Sequence, residues 1–318
     1  MKILYIIPFF FSLSIFAQEQ EYKYEPVSNK AEYYIGSFNK GKDLEDLIDW
    51  YEDFADWAED QGDTYDSMTV AILTPYFNND LSTHDTMWVN TWPSPVEQYA
   101  GLDKWMKEGQ DLLKDLPSTN SAVIDTWQWV LSEPREMKPG NMMAAVYSEC
   151  YLNEGVNMRM VYDLYKDFAI FAQENGDTVG RKLIVPSSKT TSDADFHRLL
   201  YTSSVAEMGT NAALFWDKLS DSEAAQAMEG WECKNAVEYM GMAMRTLDYD
   251  LTDPSWMIGN LKREVPIIAS AMDSVVDVNV AAELTKLGAL GVINMEGIQT
   301  RYENPNEILN QIASVGKN

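Results

Sequence analysis

Apolar residues recur at steps of three and four between Lys42 and Gln61, which predicts a helix with one buried stripe. The stripe comprises Leu44, Leu47, Ile48, Tyr51, Phe54, Ala55 and Ala58. Gly62 follows it, where a helix commonly ends in the left-handed conformation. The stripe returns 114 residues later as Met158, Val161, Tyr162, Tyr165, Phe168, Ala169 and Ala172. Because every position stays apolar in both copies, burial against a sheet explains the pattern without a functional role.

The repeat extends well beyond the helix. Residues 33–64 align without a gap to residues 147–178, and twelve of the 32 positions are identical. Further along, the offset changes to 111 residues, which aligns Trp105 with Trp216. A period above 100 residues is too long for a solenoid, so the sequence predicts a duplicated domain.

The segments between the helices have the composition of strands. Four of them are predicted in the first copy: AEYYIGSF, MTVAILTPYF, DTMWVNTW and AVIDTWQWVL. With helices over residues 42–61 and 95–116, the order is strand, helix, strand, strand, helix, strand, which is the ferredoxin-like arrangement of an α+β module. Such a sheet has helices on one face and must bury the other, so two modules are expected to pack sheet to sheet as a pseudo-dimeric barrel.

This element order and its duplication resemble the dimeric α+β barrel superfamily in a fused, two-module form. The superfamily includes small oxygenases and haem-handling proteins. The resemblance implies that a ligand would sit between the helices and a sheet, or inside the barrel.

The N-terminus has the pattern of a secretory signal. Residues 1–17 contain one Lys, then an apolar run ending at Ala17. Cleavage there would release a protein that starts near Gln18 and resides in the periplasm or outside the cell. An uncleaved anchor is the alternative, although the run is short for a bilayer span. The predicted layout is a signal peptide (1–17), a flexible leader (18–30), two modules (31–137 and 138–249) and a C-terminal fragment (250–318).

The net charge of −26 argues against nucleic acid and anionic membranes as partners. It fits a solvated acidic surface or a cationic ligand. The two cysteines, Cys150 and Cys233, fall in the same module, so they either pair in an oxidising compartment or remain buried thiols.

Four polar residues beside the predicted third strands are candidates for chemistry. His84 and His197 each precede a third strand, where an imidazole could be a base or a metal or haem ligand at the barrel mouth. A loop histidine with local hydrogen bonds is the alternative. Arg198 and Tyr201 could orient an anionic or carbonyl ligand. No cluster with metal-ligand spacing surrounds either histidine, and neither a metal nor a cofactor is predicted.

Strand alternation places Trp88, Asn90 and Trp92 on one face of the third strand. They could line an aromatic pocket in which Asn90 supplies the polar group. Packing between the sheet and the helices is the alternative use of the same face.

The C-terminal stretch contains a predicted strand over 266–270 and four short motifs: Ser270-Ala271-Met272-Asp273, Leu287-Gly288, Gly291-Val292-Ile293-Asn294 and GIQTRYENP. These motifs resemble the opening of the IMP dehydrogenase/GMP reductase barrel. The resemblance implies a βαβ piece of a (β/α)₈ barrel, with Ser270 and Met272 near a bound nucleotide. NAD would be implied as cofactor only in a complete barrel.

A (β/α)₈ barrel takes ~250 residues or more, whereas this stretch offers two strands. The sequence therefore predicts no IMP dehydrogenase activity. It predicts an exported tandem α+β barrel that binds an unidentified small molecule and needs no second copy to close. The alternatives are an inactive IMP dehydrogenase-family oxidoreductase fragment of purine nucleotide metabolism, and a structural or interaction module. Whether the protein is an enzyme stays open.

Overall fold

The computed structural model describes residues 22–188 and 190–247, together with two short strands near the C-terminus. The first module contains β1 (Val27–Phe38), α1 (Leu44–Glu59), β2 (Thr69–Pro75), β3 (Thr86–Trp92), α2 (Pro95–Glu108) and β4 (Ser118–Ser132). The second contains β5 (Met142–Leu152), α3 (Met158–Glu174), β6 (Gly180–Pro186), β7 (Phe196–Thr202), α4 (Val205–Leu214), α5 (Glu223–Gln226) and β8 (Trp231–Arg245). Both modules therefore have the predicted element order.

Eight antiparallel strands close into one barrel in the order β1-β3-β2-β8-β5-β7-β6-β4. Each module contributes four adjacent strands in the same relative order, and the seams between modules are β2 with β8 and β4 with β6. The two halves are thus related by a pseudo-twofold axis along the barrel. This confirms the α+β prediction at the level of two ferredoxin-like modules.

Alternation along β1 separates the barrel interior from the helix layer. Ala31 and Tyr33 belong to the apolar cluster inside the barrel, whereas Tyr34 packs in the cluster beneath α1 and α2. A third cluster lies between the second sheet and α3. A strand with period two can serve both layers because successive side chains point to opposite faces.

Each of the two equivalent helices buries part of the predicted stripe, and each also buries one residue outside it. In α1 the buried positions are Leu47, Trp50, Phe54 and Ala58, so the stripe prediction missed Trp50. In α3 the buried set includes Lys166, whose ammonium donates to the carbonyl of Leu131 at 2.6 Å. Burial lowers the pKa of Lys166 to about 8.

Two further details of the predicted layout differ from the structure. The helix N-caps of α2 and α4, Ser94 and Ser204, are 110 residues apart, so Trp105 corresponds to Phe215 rather than to the exposed Trp216. Part of the leader is also fixed in place. The amide nitrogen of Tyr24 donates to Asp163 on α3 at 3.0 Å, and the Tyr24 ring is buried.

The two cysteines form a disulfide between adjacent strands, with Cα atoms 4.1 Å apart. Of the C-terminal stretch, the structure describes only β9 (Ile268–Ala269) and β10 (Leu290–Gly291), which pair in parallel. Ser270 and Met272 lie outside the described residues. Among the described helices, none has the length and apolar character to cross a membrane.

Candidate functional site

A cavity of about 520 Å³ occupies one end of the barrel interior. We call it the histidine chamber, because both histidines of the chain line it. Its apolar wall is formed by Ile35, Met87, Ile124, Ile184 and Val237. Polar side chains gather towards the loops that join β2 to β3 and β6 to β7, among them His84, Glu149, Ser192, His197 and Asn235. The chamber therefore has an apolar body and a polar end.

Two tyrosines related by the repeat meet at the inner end of the chamber. Tyr33 on β1 and Tyr147 on β5 occupy equivalent positions, and their rings contact edge to face with centroids 6.0 Å apart. The hydroxyl of Tyr33 accepts a hydrogen bond from Gln128 at 2.6 Å. Both tyrosines also border a cavity of about 240 Å³ on the opposite side. The tyrosine pair thus divides the barrel interior into two compartments.

His84 is held at the polar end by a tyrosine from the other module. Its Nε2 lies 3.1 Å from the hydroxyl of Tyr239 on β8, and its Nδ1 lies 2.9 Å from the hydroxyl of Thr83. The imidazole also stacks on the Tyr239 ring, with centroids 5.8 Å apart. In the tautomer with its proton on Nδ1, the imidazole donates to Thr83 and accepts from Tyr239.

His197 is the second residue of β7 rather than part of the preceding loop, so its predicted placement is wrong by a short distance. It pairs in register with Glu149 on β5. The Glu149 carboxylate accepts hydrogen bonds from Asn235 and Ser192, each at 2.7 Å. These bonds lower the pKa of Glu149, which is therefore a carboxylate at neutral pH.

Burial lowers the pKa of both His84 and His197 below the ordinary value of 6.5, although Asp85 and Glu149 oppose the shift. Both imidazoles are therefore neutral near pH 7 and can accept a proton or a hydrogen bond there. Burial also raises the pKa of Tyr239, which keeps its phenol protonated. The chamber offers hydrogen-bond donors and acceptors at one end with a single fixed negative charge.

The donor set does not fit the metal and haem roles considered for His84, because both of its ring nitrogens are engaged by neighbouring hydroxyls. In the part of the chain that the structure describes, no group of three or more His, Cys, Asp or Glu side chains has the arrangement of a metal site. Hydrogen bonding and proton transfer are the roles that the geometry supports.

Trp88, Asn90 and Trp92 lie on the other side of the sheet, facing α1 and α2. They line a separate cavity of about 110 Å³ that we call the tryptophan pocket. The predicted common face of the three residues is therefore observed, and it serves both packing and a pocket. Trp88 donates to the Asn90 side chain at 2.6 Å, and all three residues are buried.

Arg198 and Tyr201 are separated by the alternation of β7. Arg198 faces α4 and lines a cavity of about 430 Å³ that also contains Asp177 and Arg181, which we call the arginine pocket. Tyr201 points into the barrel beyond the tyrosine pair and donates to Glu133. The seven predicted residues thus divide among four places, and only the two histidines share the largest of these cavities.

Sequence reasoning missed Tyr239, Glu149 and the tyrosine pair. Tyr33 and Tyr147 did carry a signal, because they are identical across the repeat and lie outside the helix stripe. Tyr239 and Glu149 carried none, since they reach the histidines only through barrel closure and strand pairing.

No protein-family model and no curated protein matches the chain. Among solved structures, a chlorite dismutase from Candidatus Nitrospira defluvii aligns with 69% of this chain and 93% of its own, at 11% identity and a TM-score of 0.39. A monooxygenase-like protein from Lactobacillus acidophilus aligns with 68% of this chain and 93% of its own, at 8% identity and a TM-score of 0.42. An anthrone oxidase-like protein aligns with 73% of this chain and 96% of its own, at 12% identity and a TM-score of 0.40. At these values the comparisons say nothing about activity.

The inferred resemblance to IMP dehydrogenase and GMP reductase is wrong. No family model matches any part of the chain, and the described residues of the two modules close into an eight-stranded antiparallel barrel. Of the C-terminal stretch, the structure describes only the short parallel pair of β9 and β10. The misassignment has a simple cause: a short strand–helix–strand run with a Ser-x-Met-Asp turn contains too few residues to distinguish one parallel βα protein from another.

Proposed function

We propose that the protein binds a small, largely apolar molecule with a hydroxyl or carbonyl group inside the histidine chamber. The observation that carries this proposal is the cavity itself: about 520 Å³, apolar over most of its wall and polar at one end. Ligand sites in proteins typically span about 300–1,000 Å³ and combine apolar walls with a few placed polar groups.

The polar end sets the orientation of such a ligand. With the His84 proton on Nε2, His84 donates to Tyr239, and the Tyr239 phenol can then donate to the oxygen of a ligand hydroxyl. The proton of that hydroxyl can be donated to the neutral imidazole of His197. The apolar body then lies against Met87 and Ile184, towards the tyrosine pair. A ligand with two negative charges is disfavoured there, because Glu149 contributes a carboxylate at the same end.

The neutral imidazole of His197 beside a ligand hydroxyl also suits proton abstraction, so catalysis by a general base is an extension of the same proposal. A chain that closes its own barrel needs no second copy to complete the chamber, and we propose that it acts as a single-chain unit. Nucleic acid is not among the proposed partners, because the net charge of −26 would repel its phosphates.

We further propose that the protein acts outside the cytoplasm. The Cys150–Cys233 disulfide supports an oxidising compartment, as does the apolar run over residues 1–17. Expression of the full chain in a bacterial host, followed by intact-mass spectrometry, tests this proposal. A mature N-terminus near Gln18 is expected, whereas a retained N-terminus would contradict cleavage.

Titration with 2-naphthol, an aromatic alcohol that fits the proposed class, tests the chamber. We expect saturable binding that Val237→Phe weakens, because the larger side chain fills the chamber wall. Val123→Phe is the matched control, since Val123 is 57% exposed on β4. Equal binding by both variants would contradict the proposal. No binding by the parent protein, with no ligand retained in native mass spectrometry, would favour the structural alternative.

A further inference from the structure

We propose that the tryptophan pocket is a second site, which binds an organic ammonium group with Glu32 as its buried counter-ion. The pocket lies between α1, α2 and the outer face of β1 and β3, whereas the histidine chamber lies on the inner face of the same strands. The two proposals therefore rest on different side chains and can fail independently.

The first argument is the state of Glu32. It is only 3% exposed, and it accepts hydrogen bonds from Gln98 at 3.0 Å, Asn90 at 3.1 Å and Tyr34 at 3.2 Å. All three donors are neutral amide or hydroxyl groups, so none of them supplies a positive charge. A buried charge without an opposite charge is costly, so the site is electrostatically incomplete.

The nearest lysine on the same face of β1 is already used. Lys30 donates to Asp125 at 2.6 Å and to Ser187 at 2.8 Å, so its charge is balanced by Asp125. Within residues 22–188 and 190–247, no Lys or Arg forms a salt bridge with Glu32. A bound cation would supply the missing charge.

The second argument is a pair of unused polar atoms. The Thr86 hydroxyl and the Trp92 indole nitrogen are buried without a hydrogen-bond partner in the described part of the chain, and both residues line the pocket. Each residue is 2% exposed. Buried polar groups normally have partners, so these two atoms point to a bound group that carries an oxygen atom.

The third argument is the aromatic wall. Trp50 contacts Trp88 edge to face, with ring centroids 5.6 Å apart, and Trp105 at 6.4 Å. Phe54 contacts Trp88 at 5.7 Å. Aromatic faces attract ammonium groups through their quadrupoles, most strongly when the cation is desolvated, and Trp is the best of them.

Size narrows the ligand class. A volume of about 110 Å³ is well below that of pockets for drug-sized molecules, so the pocket suits a head group of a few heavy atoms. A methylated ammonium with a nearby hydroxyl satisfies the carboxylate, the aromatic wall and the unused Trp92 donor together. The acidic surface, with a chain charge of −26, would raise the local concentration of such a cation.

Choline is the probe, and its uncharged isostere 3,3-dimethylbutan-1-ol is the matched control ligand. We expect choline to change tryptophan fluorescence saturably. The alcohol should bind at least about tenfold more weakly, because a tenfold change corresponds to about 1.4 kcal/mol and a desolvated cation–π contact is worth at least that much. Isothermal titration at high salt separates pocket binding from surface attraction, because surface attraction is screened.

Glu32→Gln should lower the affinity for choline by about tenfold or more while the alcohol is unaffected. Glu149→Gln, in the histidine chamber, should leave choline binding unchanged. If Glu32→Gln disturbs the fold by circular dichroism, Trp105→Leu tests the half-buried wall instead. Equal binding of choline and alcohol, or an unchanged affinity in both pocket variants, would overturn the ammonium proposal without touching the 2-naphthol result.

Discussion

The two modules share their packing but differ in the chemistry of their helix-to-sheet layers. In the first, the tryptophan pocket places Trp88 and the buried carboxylate of Glu32 under α1 and α2. In the second, the positions equivalent to these residues hold Arg198 and Val146, and the arginine pocket contains the ion pair of Asp177 and Arg181. Both pockets have aromatic walls, but the first contains a carboxylate without a salt-bridge partner, whereas the second contains positive groups with their own counter-ion.

The difference extends to the residues that lie between the second helix and each sheet. In the first module Trp92 lies directly over Gly101 of α2; a Cβ atom there would lie 2.4 Å from the indole ring. The equivalent residues of the second module are Thr202 and Asn211. The first module thus has a large residue on the sheet and a glycine on the helix. The second module has a small sheet residue, Thr202, and an asparagine, Asn211, at the same two positions. The two modules therefore differ in the residues that join the second helix to the sheet.

The largest expected effect is on the ion pair of the arginine pocket. Arg181 binds Asp177 through two hydrogen bonds of 2.8 Å, and both side chains are almost fully buried. Asp177→Asn should lower the free energy of unfolding by about 3–5 kcal/mol, because it leaves a buried guanidinium uncompensated. Urea denaturation measures the change.

The exposed pair of Asp111 and Lys114 is the control, and Asp111→Asn should leave the denaturation midpoint unchanged. Glu32→Gln tests the electrostatic difference between the modules further. It removes a buried charge that has no counter-ion, so it should lower the free energy of unfolding far less than Asp177→Asn does. If both buried variants destabilise equally, the proposed electrostatic difference between the modules is wrong.

A smaller effect is expected where α2 meets the sheet. Gly101→Ala should lower the free energy of unfolding by about 1–3 kcal/mol, because the new methyl group collides with Trp92. Gly209→Ala in α4 is the matched control. A Cβ atom at Gly209 meets nothing within 4 Å, so this variant should stabilise the helix by up to about 1 kcal/mol. Similar changes in both variants would show that the close contact in the first module has no energetic importance.

The smallest effect is the dependence of stability on pH in the histidine chamber. His84 and His197 have pKa values lowered by burial, so the unfolded chain takes up protons first as the pH falls. The free energy of unfolding should therefore be fully retained above about pH 6.5 and decline below it. Replacement of both histidines by glutamine should make the melting temperature less dependent on pH in this range.

Loss of stability at lower pH would persist in that double variant, because carboxylates such as Glu149 titrate there. An unchanged slope below pH 6.5 would show that the imidazoles do not resist protonation in the folded protein.

Local patterns predicted the elements well, and closure of the barrel determined the site. The stripe on α1 and the alternation of β3 depend on neighbours within one element, so the sequence specifies them directly. The meeting of His84 with Tyr239 depends on the seam between β2 and β8, which joins residues 155 positions apart. No sequence pattern within either strand indicates that β2 and β8 pair. The burial of Lys166 is likewise not visible in the periodicity of α3, because its long side chain reaches a carbonyl on a strand of the other module.

The seams have a consequence for how the chain folds as it is made. All four strands of the first sheet are complete by Ser132, yet β2 and β4 pair with strands of the second module. Until those strands leave the ribosome, the first module exposes two open edges and the apolar face that will become the barrel wall. The acidic charge of residues 42–66 on its helix side is a feature that would keep such an intermediate in solution. Once the second module has been synthesised, its strands pair with both open edges and its sheet covers the apolar face, all within the same molecule.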